Sequence, residues 1–120
     1  MKIVIAALLL GIIAVVGVAI ASTSQDVSGL AAAADDGSAL YGKKCRSCHG
    51  KDGRGNAMLA EKLKVDPAAL DLVDEASLAK SDEELIRITA EGEGKMPGYA
   101  KKLTAEEIEG TIAHVRSLAG

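Results

Sequence analysis

The sequence predicts a small all-α domain, on three observations. Two Ser/Thr-x-x-Glu boxes mark helix starts, one from Ser81 to Glu84 and one from Thr104 to Glu107. Beyond the second box, Ile108, Ile112, Val115 and Leu118 fall on one stripe at steps of four, three and three. No stretch reads as a strand.

The elements follow in chain order. Residues 3–20 run for 18 positions without a charge, behind Met1 and Lys2. That is longer than the usual core of a secretory signal and just long enough for a membrane helix. Ala19-Ile20-Ala21 and Ala32-Ala33-Ala34 both offer small-residue cleavage sites. Residues 1–21 are therefore expected to be a signal peptide or an N-terminal membrane anchor. Residues 22–34, rich in Ser, Ala and Gly with one charge at Asp26, read as a linker. The folded domain is expected over 35–120. A short helix starting at Asp36 carries Leu40 and Tyr41 toward Cys45. Gly50, Gly53 and Gly55 break regular structure, and 57–64 is expected as a short helix. Pro67 biases Asp66 away from helix. The Ser81 box opens a helix with Leu85, Ile86 and Ile88 on its apolar face, ended by Gly92 and Gly94. The Thr104 box opens the last helix.

Aromatic residues make up only 2% of the chain, Tyr41 and Tyr99, with no Phe or Trp. A domain this small usually needs a staple, and this core lacks large side chains. The two cysteines supply a clue. They stand in Cys45-Arg46-Ser47-Cys48-His49, a C-x-x-C-H string, the pattern of c-type haem attachment. Two thiols on one helical turn can each add to a vinyl group on the same porphyrin edge. The adjacent imidazole then reaches the iron. A structural disulfide is a poor alternative, since so short a separation closes almost no loop. A zinc site would need a fourth ligand. A dithiol redox centre is the serious competitor, but such motifs follow a strand, and none precedes Tyr41. Haem would also fill the space that large side chains leave.

With His49 on one side of an iron, three residues are candidates for the other. Met58 comes only nine positions after His49, a short path around the ring. His114 lies beside the apolar stripe of the last helix and reads more simply as a packing or surface residue. Met96 is better placed, 47 positions after His49 in the string Gly92-Glu93-Gly94-Lys95-Met96-Pro97-Gly98. A loop bounded by glycines and stiffened by Pro97 can present a thioether against a flat ring.

These residues, in this order, resemble the class I cytochrome c family, in particular small bacterial monohaem members of the c551, c553 and c555 kind. The likeness rests on Gly37-x-x-Leu40-Tyr41, Cys45-x-x-Cys48-His49-Gly50, Gly53-Arg54-Gly55 and the Ser81 helix start. Gly94-Lys95-Met96-Pro97 and the closing Leu103-Thr104 … His114-Val115-Arg116-Ser117-Leu118 complete it. The resemblance implies a cytochrome c fold, about four short helices around one covalently bound haem, with the first and last helices crossing near Gly37–Tyr41. It implies haem c attached through Cys45 and Cys48, with His49 and Met96 as axial ligands. Pro67 is a candidate for the proline whose carbonyl orients the histidine in family members. One departure stands out: His114 occupies a position where the family commonly has Tyr, which leaves the usual aromatic packing at the crossing in question.

A His/Met pair raises the reduction potential and fills both axial positions. The expected function is one-electron carriage between redox partners outside the cytoplasmic membrane, where c-type haem is attached. No acid–base pair or nucleophile is evident beside the haem, so an enzyme is not expected. The alternative is a small-ligand sensor or peroxidase-like module with a displaceable Met96. The chain carries 14 basic and 17 acidic residues, net −3, which with the missing stacking platform argues against nucleic acid. Lys43, Lys44, Arg46, Lys51 and Arg54 surround the attachment string, and Lys95, Lys101 and Lys102 flank the Met96 loop. Acidic residues dominate 66–93. A basic haem edge docking acidic patches on redox proteins is the corresponding expectation. The expected state is a monomer, with the membrane touched only through the N-terminal segment.

Overall fold

The computed structural model describes the backbone of residues 27–120 and the side chains of residues 36–120. The signal or anchor expected over 1–21 lies outside the described residues. Among those described, no helix is long and apolar enough to cross a membrane.

The described chain is helical throughout, as expected. Helix α1 spans Val27–Lys44, α2 Arg46–His49, α3 Ala57–Leu63, α4 Glu75–Leu78, α5 Asp82–Glu91 and α6 Ala105–Leu118; a 3-10 turn, Pro67–Leu70, precedes α4. The sole strand-like feature in this region is an isolated bridge between Glu93 and Met96. There are more helical pieces than the four expected, because α2, α4 and the 3-10 turn are single turns too short for a periodic pattern. Helix α1 is already helical at Val27, the first described residue, within the segment read as linker and well before Asp36. Alanine, which loses no side-chain entropy in a helix, fills 31–34 and favours that extension.

The caps follow the sequence closely. Thr104 Oγ1 accepts the Glu107 N–H at 3.2 Å, and Glu107 Oε2 accepts the Thr104 N–H at 2.8 Å, closing the box. At Ser81 the hydroxyl accepts the Glu84 N–H at 3.1 Å, but the Glu84 side chain makes no return bond, so only half of the expected box forms. Asn56, Asp66 and Asp74 cap the shorter turns through their own side-chain oxygens. Asp66 is extended, with φ −60° and ψ 133°, as the following Pro67 requires.

Helix α1 packs across α6, and α5 packs on α6 beside it. The first contact depends on two glycines. A Cβ on Gly37 would stand 2.0 Å from the Gly110 carbonyl oxygen, so the helices meet backbone to backbone. Leu85, Ile108 and Ile112 form the central apolar cluster, with Ile86, Ala90 and Leu103 packed against it. Leu118, the last member of the predicted stripe, is half-buried. The two buried threonines, Thr89 and Thr111, return their hydroxyls to the carbonyls of Leu85 and Glu107 at 2.8 Å.

Tyr41 is 2% exposed at the crossing. The His114 ring lies 5.1 Å from its centroid, tilted by 56°. The departure at His114 therefore does not abolish ring packing there: imidazole supplies the flat partner, in an edge-tilted arrangement that ring quadrupoles favour.

Candidate functional site

Between the attachment turn at 44–49 and the segments from 63 to 99 lies a cavity of about 620 Å³. Leu63, Val65, Leu70, Leu72, Leu85 and Ile88 line it with apolar surface. Cys45, Cys48, His49 and Met96 all face it as well. The string and the loop, 47 positions apart in sequence, thus meet across one space.

The attachment string occupies the turn that follows α1. Cys45 N–H donates to Tyr41 O at 2.9 Å, and His49 N–H to Cys45 O at 3.0 Å, so 45–49 continues as a helical turn. Gly50 ends it at φ +78°, and Gly53 and Gly55 also take positive φ. The Gly55 and Asn56 N–H groups return to His49 O and Cys48 O at 2.8 and 3.0 Å. Asn56 Nδ2 adds a bond to Ser47 O at 3.1 Å. The Tyr41 hydroxyl donates to Gly50 O at 2.8 Å and ties the turn to α1.

His49 is 7% exposed, and its Nδ1 lies 2.9 Å from the Leu70 carbonyl oxygen. A carbonyl only accepts, so Nδ1 carries the proton and Nε2 keeps its lone pair. Burial lowers the ring's pKa below its ordinary value, against the smaller opposing effect of the Leu70 bond. The ring thus presents a neutral Nε2 with a fixed tautomer, the arrangement that orients histidines toward a metal. The orienting carbonyl is that of Leu70, not of Pro67. Pro67 opens the 3-10 turn, and Leu70, three residues on at its buried end, is the one brought to the ring.

Burial, reinforced by Cys48, pushes the Cys45 thiol up to about 11. A dithiol redox centre needs an accessible thiolate near neutral pH, and this thiol is held the other way. Tyr41 is pushed up to about 12, chiefly by burial, with Cys45 and Asp52 adding to it. Among the described residues, no three His, Cys, Asp or Glu side chains cluster as a metal-ion site, which leaves the zinc alternative without its ligands.

The Met96 loop is held mainly by backbone. Met96 N–H donates to Glu93 O at 2.8 Å and Glu93 N–H to Met96 O at 3.1 Å. A Cβ on Gly92 would stand 2.6 Å from Met96 O, and one on Gly98 2.6 Å from Glu91 O, so the loop folds flat on the end of α5. Tyr99 N–H and Ala100 N–H then return to Thr89 O and Ala90 O at 2.9 and 3.0 Å. The Tyr99 hydroxyl donates to Lys44 O at 3.2 Å, next to Cys45. That tether is not visible in the sequence, because it joins residues 55 apart. Met58 is 81% exposed and His114 packs on Tyr41, so neither rivals Met96 at the cavity.

The cavity suits a haem. Its volume falls within the range of small-molecule and cofactor sites, and its lining is mostly apolar with a few polar groups at fixed points. Its donors are a neutral imidazole, a thioether and two thiols one turn apart, the set that haem c uses. An all-α chain folded around such a cavity, with C-x-x-C-H at its rim, has the fold and donor set of a class I c-type cytochrome, whose cofactor is haem c.

Comparison with known proteins makes this specific. The family profile of cytochrome c oxidase, cbb3-type, subunit III matches residues 32–115, and the chain belongs to this family. The cbb3-type cytochrome c oxidase subunit FixP of Azorhizobium caulinodans is 29% identical over 99 residues, covering 82% of this chain and 32% of FixP. The chain thus spans about a third of the length of that relative. The solved structure of a c-type cytochrome, KustC0563, aligns with a TM-score of 0.60 at 33% identity, over 71% of this chain and 99% of the other.

Proposed function

We propose that this domain relays single electrons between redox proteins outside the cytoplasmic membrane, with haem c joined to Cys45 and Cys48 and ligated by His49 and Met96. The observation that carries the reading is that these four side chains share one apolar cavity. When bound there, haem c supplies a reversible one-electron couple. The chain's residues do the rest. His49 offers Nε2 because Leu70 O holds the proton on Nδ1. Met96 offers a thioether from a loop tied at both its ends. The apolar walls would keep most of the ring from water, which would keep reorganisation small as charge changes.

The ties on the Met96 loop support a closed electron carrier over a sensor with a displaceable methionine, and over catalysis at an open iron. Relatedness to FixP supports an electron path that includes a cytochrome c oxidase assembly. The exposed cations Lys43, Lys44, Arg46, Lys51 and Arg54 support docking to acidic patches on such partners. Around the cavity itself the charges are mixed: Lys44, Lys80 and Lys95 face Asp66, Asp71 and Asp74. Electron-transfer rates with an acidic partner should therefore fall with salt, but less steeply than for a uniformly basic rim. The haem-binding part of the domain is proposed to begin near residue 35, within α1, with 1–21 acting as a cleaved signal or retained anchor.

The test uses protein made with the haem attachment machinery. A pyridine haemochrome spectrum of the c type is expected, and its absence would remove the reading. The weak red absorption band of methionine-ligated ferric haem is expected in the wild type and should vanish in Met96→Ala. Its persistence would exclude Met96 as the ligand. Carbon monoxide binding to the reduced wild type at neutral pH would favour the sensor.

A further inference from the structure

One wall of the cavity is built by residues 71–80, and none of residues 75–80 in its second half is buried. Helix α4, at its centre, buries none of its four residues. Yet Asp71, Leu72, Asp74, Ala76, Ser77 and Lys80 face the cavity. The segment braces itself internally: the Ser77 hydroxyl donates to Asp71 O and the Ser77 N–H to Asp74 Oδ1, both at 2.7 Å. Its first end is fixed to the attachment-string loop, where Leu72 N–H donates to Gly53 O at 2.7 Å.

The other end is held from α6 by one side chain. Arg116 Nε donates to Asp82 Oδ1 at 2.8 Å, Nη1 donates to Leu78 O at 3.3 Å, and Nη2 donates to Lys80 O. Leu78 O and Lys80 O belong to the end of α4 and the residues after it, where helix carbonyls otherwise lack partners. A planar guanidinium can serve three acceptors at once; an ammonium on a flexible stem cannot hold the same set.

We propose that Arg116 is a positioning residue that closes the 71–80 wall over the haem. The proposal rests on the haem reading of the cavity. A released wall would admit water beside the iron, and water stabilises the more highly charged ferric form. The reduction potential would then fall, although Arg116 takes no part in ligation. The competing explanation is an ordinary ion pair with Asp82, whose side chain is 63% exposed. Exposed pairs of that kind contribute little. The two explanations separate cleanly, because Asp82→Asn removes the pair and leaves both carbonyl bonds.

The experiment measures amide hydrogen exchange and reduction potential in haem-loaded wild type, Arg116→Lys, Arg116→Gln and Asp82→Asn. In Arg116→Lys, amides in 73–80 should exchange about tenfold faster or more, as expected for losing charge-assisted bonds from one locally opening unit. Those in 85–91 should stay near wild type, and the potential should drop. Asp82→Asn should match wild type in both readouts. Arg116→Gln, which keeps one amide donor, takes the same measurement should the lysine variant fail to accumulate. Equal effects in Asp82→Asn and Arg116→Lys would overturn the proposal in favour of the ion pair. Exchange in 73–80 that rises only in step with 85–91, with the potential unmoved, would overturn it too. A haemochrome spectrum of the same wild-type sample tests the haem reading separately: its failure would strike the cavity assignment, while the exchange pattern still decides whether Arg116 holds the wall.

Discussion

His49 and Met96 face the same cavity, but the chain holds them by different means. His49 sits on a helical turn, buried, with its ring bonded to Leu70 O and its turn tied to α1 through Tyr41. Met96 sits half-buried on a loop, held by backbone bonds between Glu93 and Met96 and by the close approach of Gly92 and Gly98. On the first side, side-chain chemistry fixes both position and protonation. On the second, the backbone fixes position, and among the described residues the thioether has no hydrogen-bond partner. The difference fits the two side chains. An imidazole has a tautomer and a charge to be set, whereas a thioether has neither.

The largest expected effect breaks the frame beneath the histidine side. In an open helix, Gly→Ala stabilises by roughly 0.5–1 kcal/mol. At Gly37 the added Cβ would meet Gly110 O at 2.0 Å. Gly37→Ala should therefore force α1 off α6 and destabilise by about 2–3 kcal/mol, read as a lower denaturation midpoint. Gly42, five residues along the same helix, has nothing within 4 Å of its virtual Cβ. Gly42→Ala should move the midpoint up. If both variants moved it in the same direction, helix propensity rather than the crossing would govern α1.

Acid distinguishes the two sides next. Burial lowers the His49 pKa in the folded chain. An unfolded histidine takes up its proton as pH falls through about 6.5, while the folded ring does not. The unfolded state then binds more protons, so stability falls as pH drops from about 6.5 toward the lowered folded value. Urea unfolding of the haem protein from pH 7 to 5 should show the loss, and His49→Gln should flatten it. Met96→Ala should leave the slope intact, because a thioether does not titrate.

The smallest effect compares the two tyrosine tethers. Tyr41 donates to Gly50 O from a buried position, and Tyr99 donates to Lys44 O at the surface with a longer bond. Tyr41→Phe should cost about 1–1.5 kcal/mol and Tyr99→Phe about 0.5 kcal/mol or less, by denaturant unfolding. Equal costs would mean that burial does not separate the two sides in the way proposed.

Much of this site was legible because its signals are local. C-x-x-C-H compresses the attachment chemistry into five residues, and the cap residues at Ser81 and Thr104 act on N–H groups three positions away. Met96 could be preferred over Met58 because glycines and Pro97 write a loop into the sequence around it. The start of α1 was placed too late because a Ser/Ala/Gly-rich segment suits both a linker and a helix, and composition alone does not choose.

What the sequence determined by itself was therefore the helical class, the main helix caps, the C-x-x-C-H string of Cys45, Cys48 and His49, and the loop that carries Met96. What only the tertiary structure decided was which distant groups serve them. Leu70 O rather than Pro67 O receives the His49 proton, Gly110 receives Gly37, His114 packs on Tyr41, and Arg116 reaches the carbonyls of Leu78 and Lys80. Each of these joins parts of the chain that share no local pattern. A backbone carbonyl is the same acceptor at every position, so only the fold can select which one arrives.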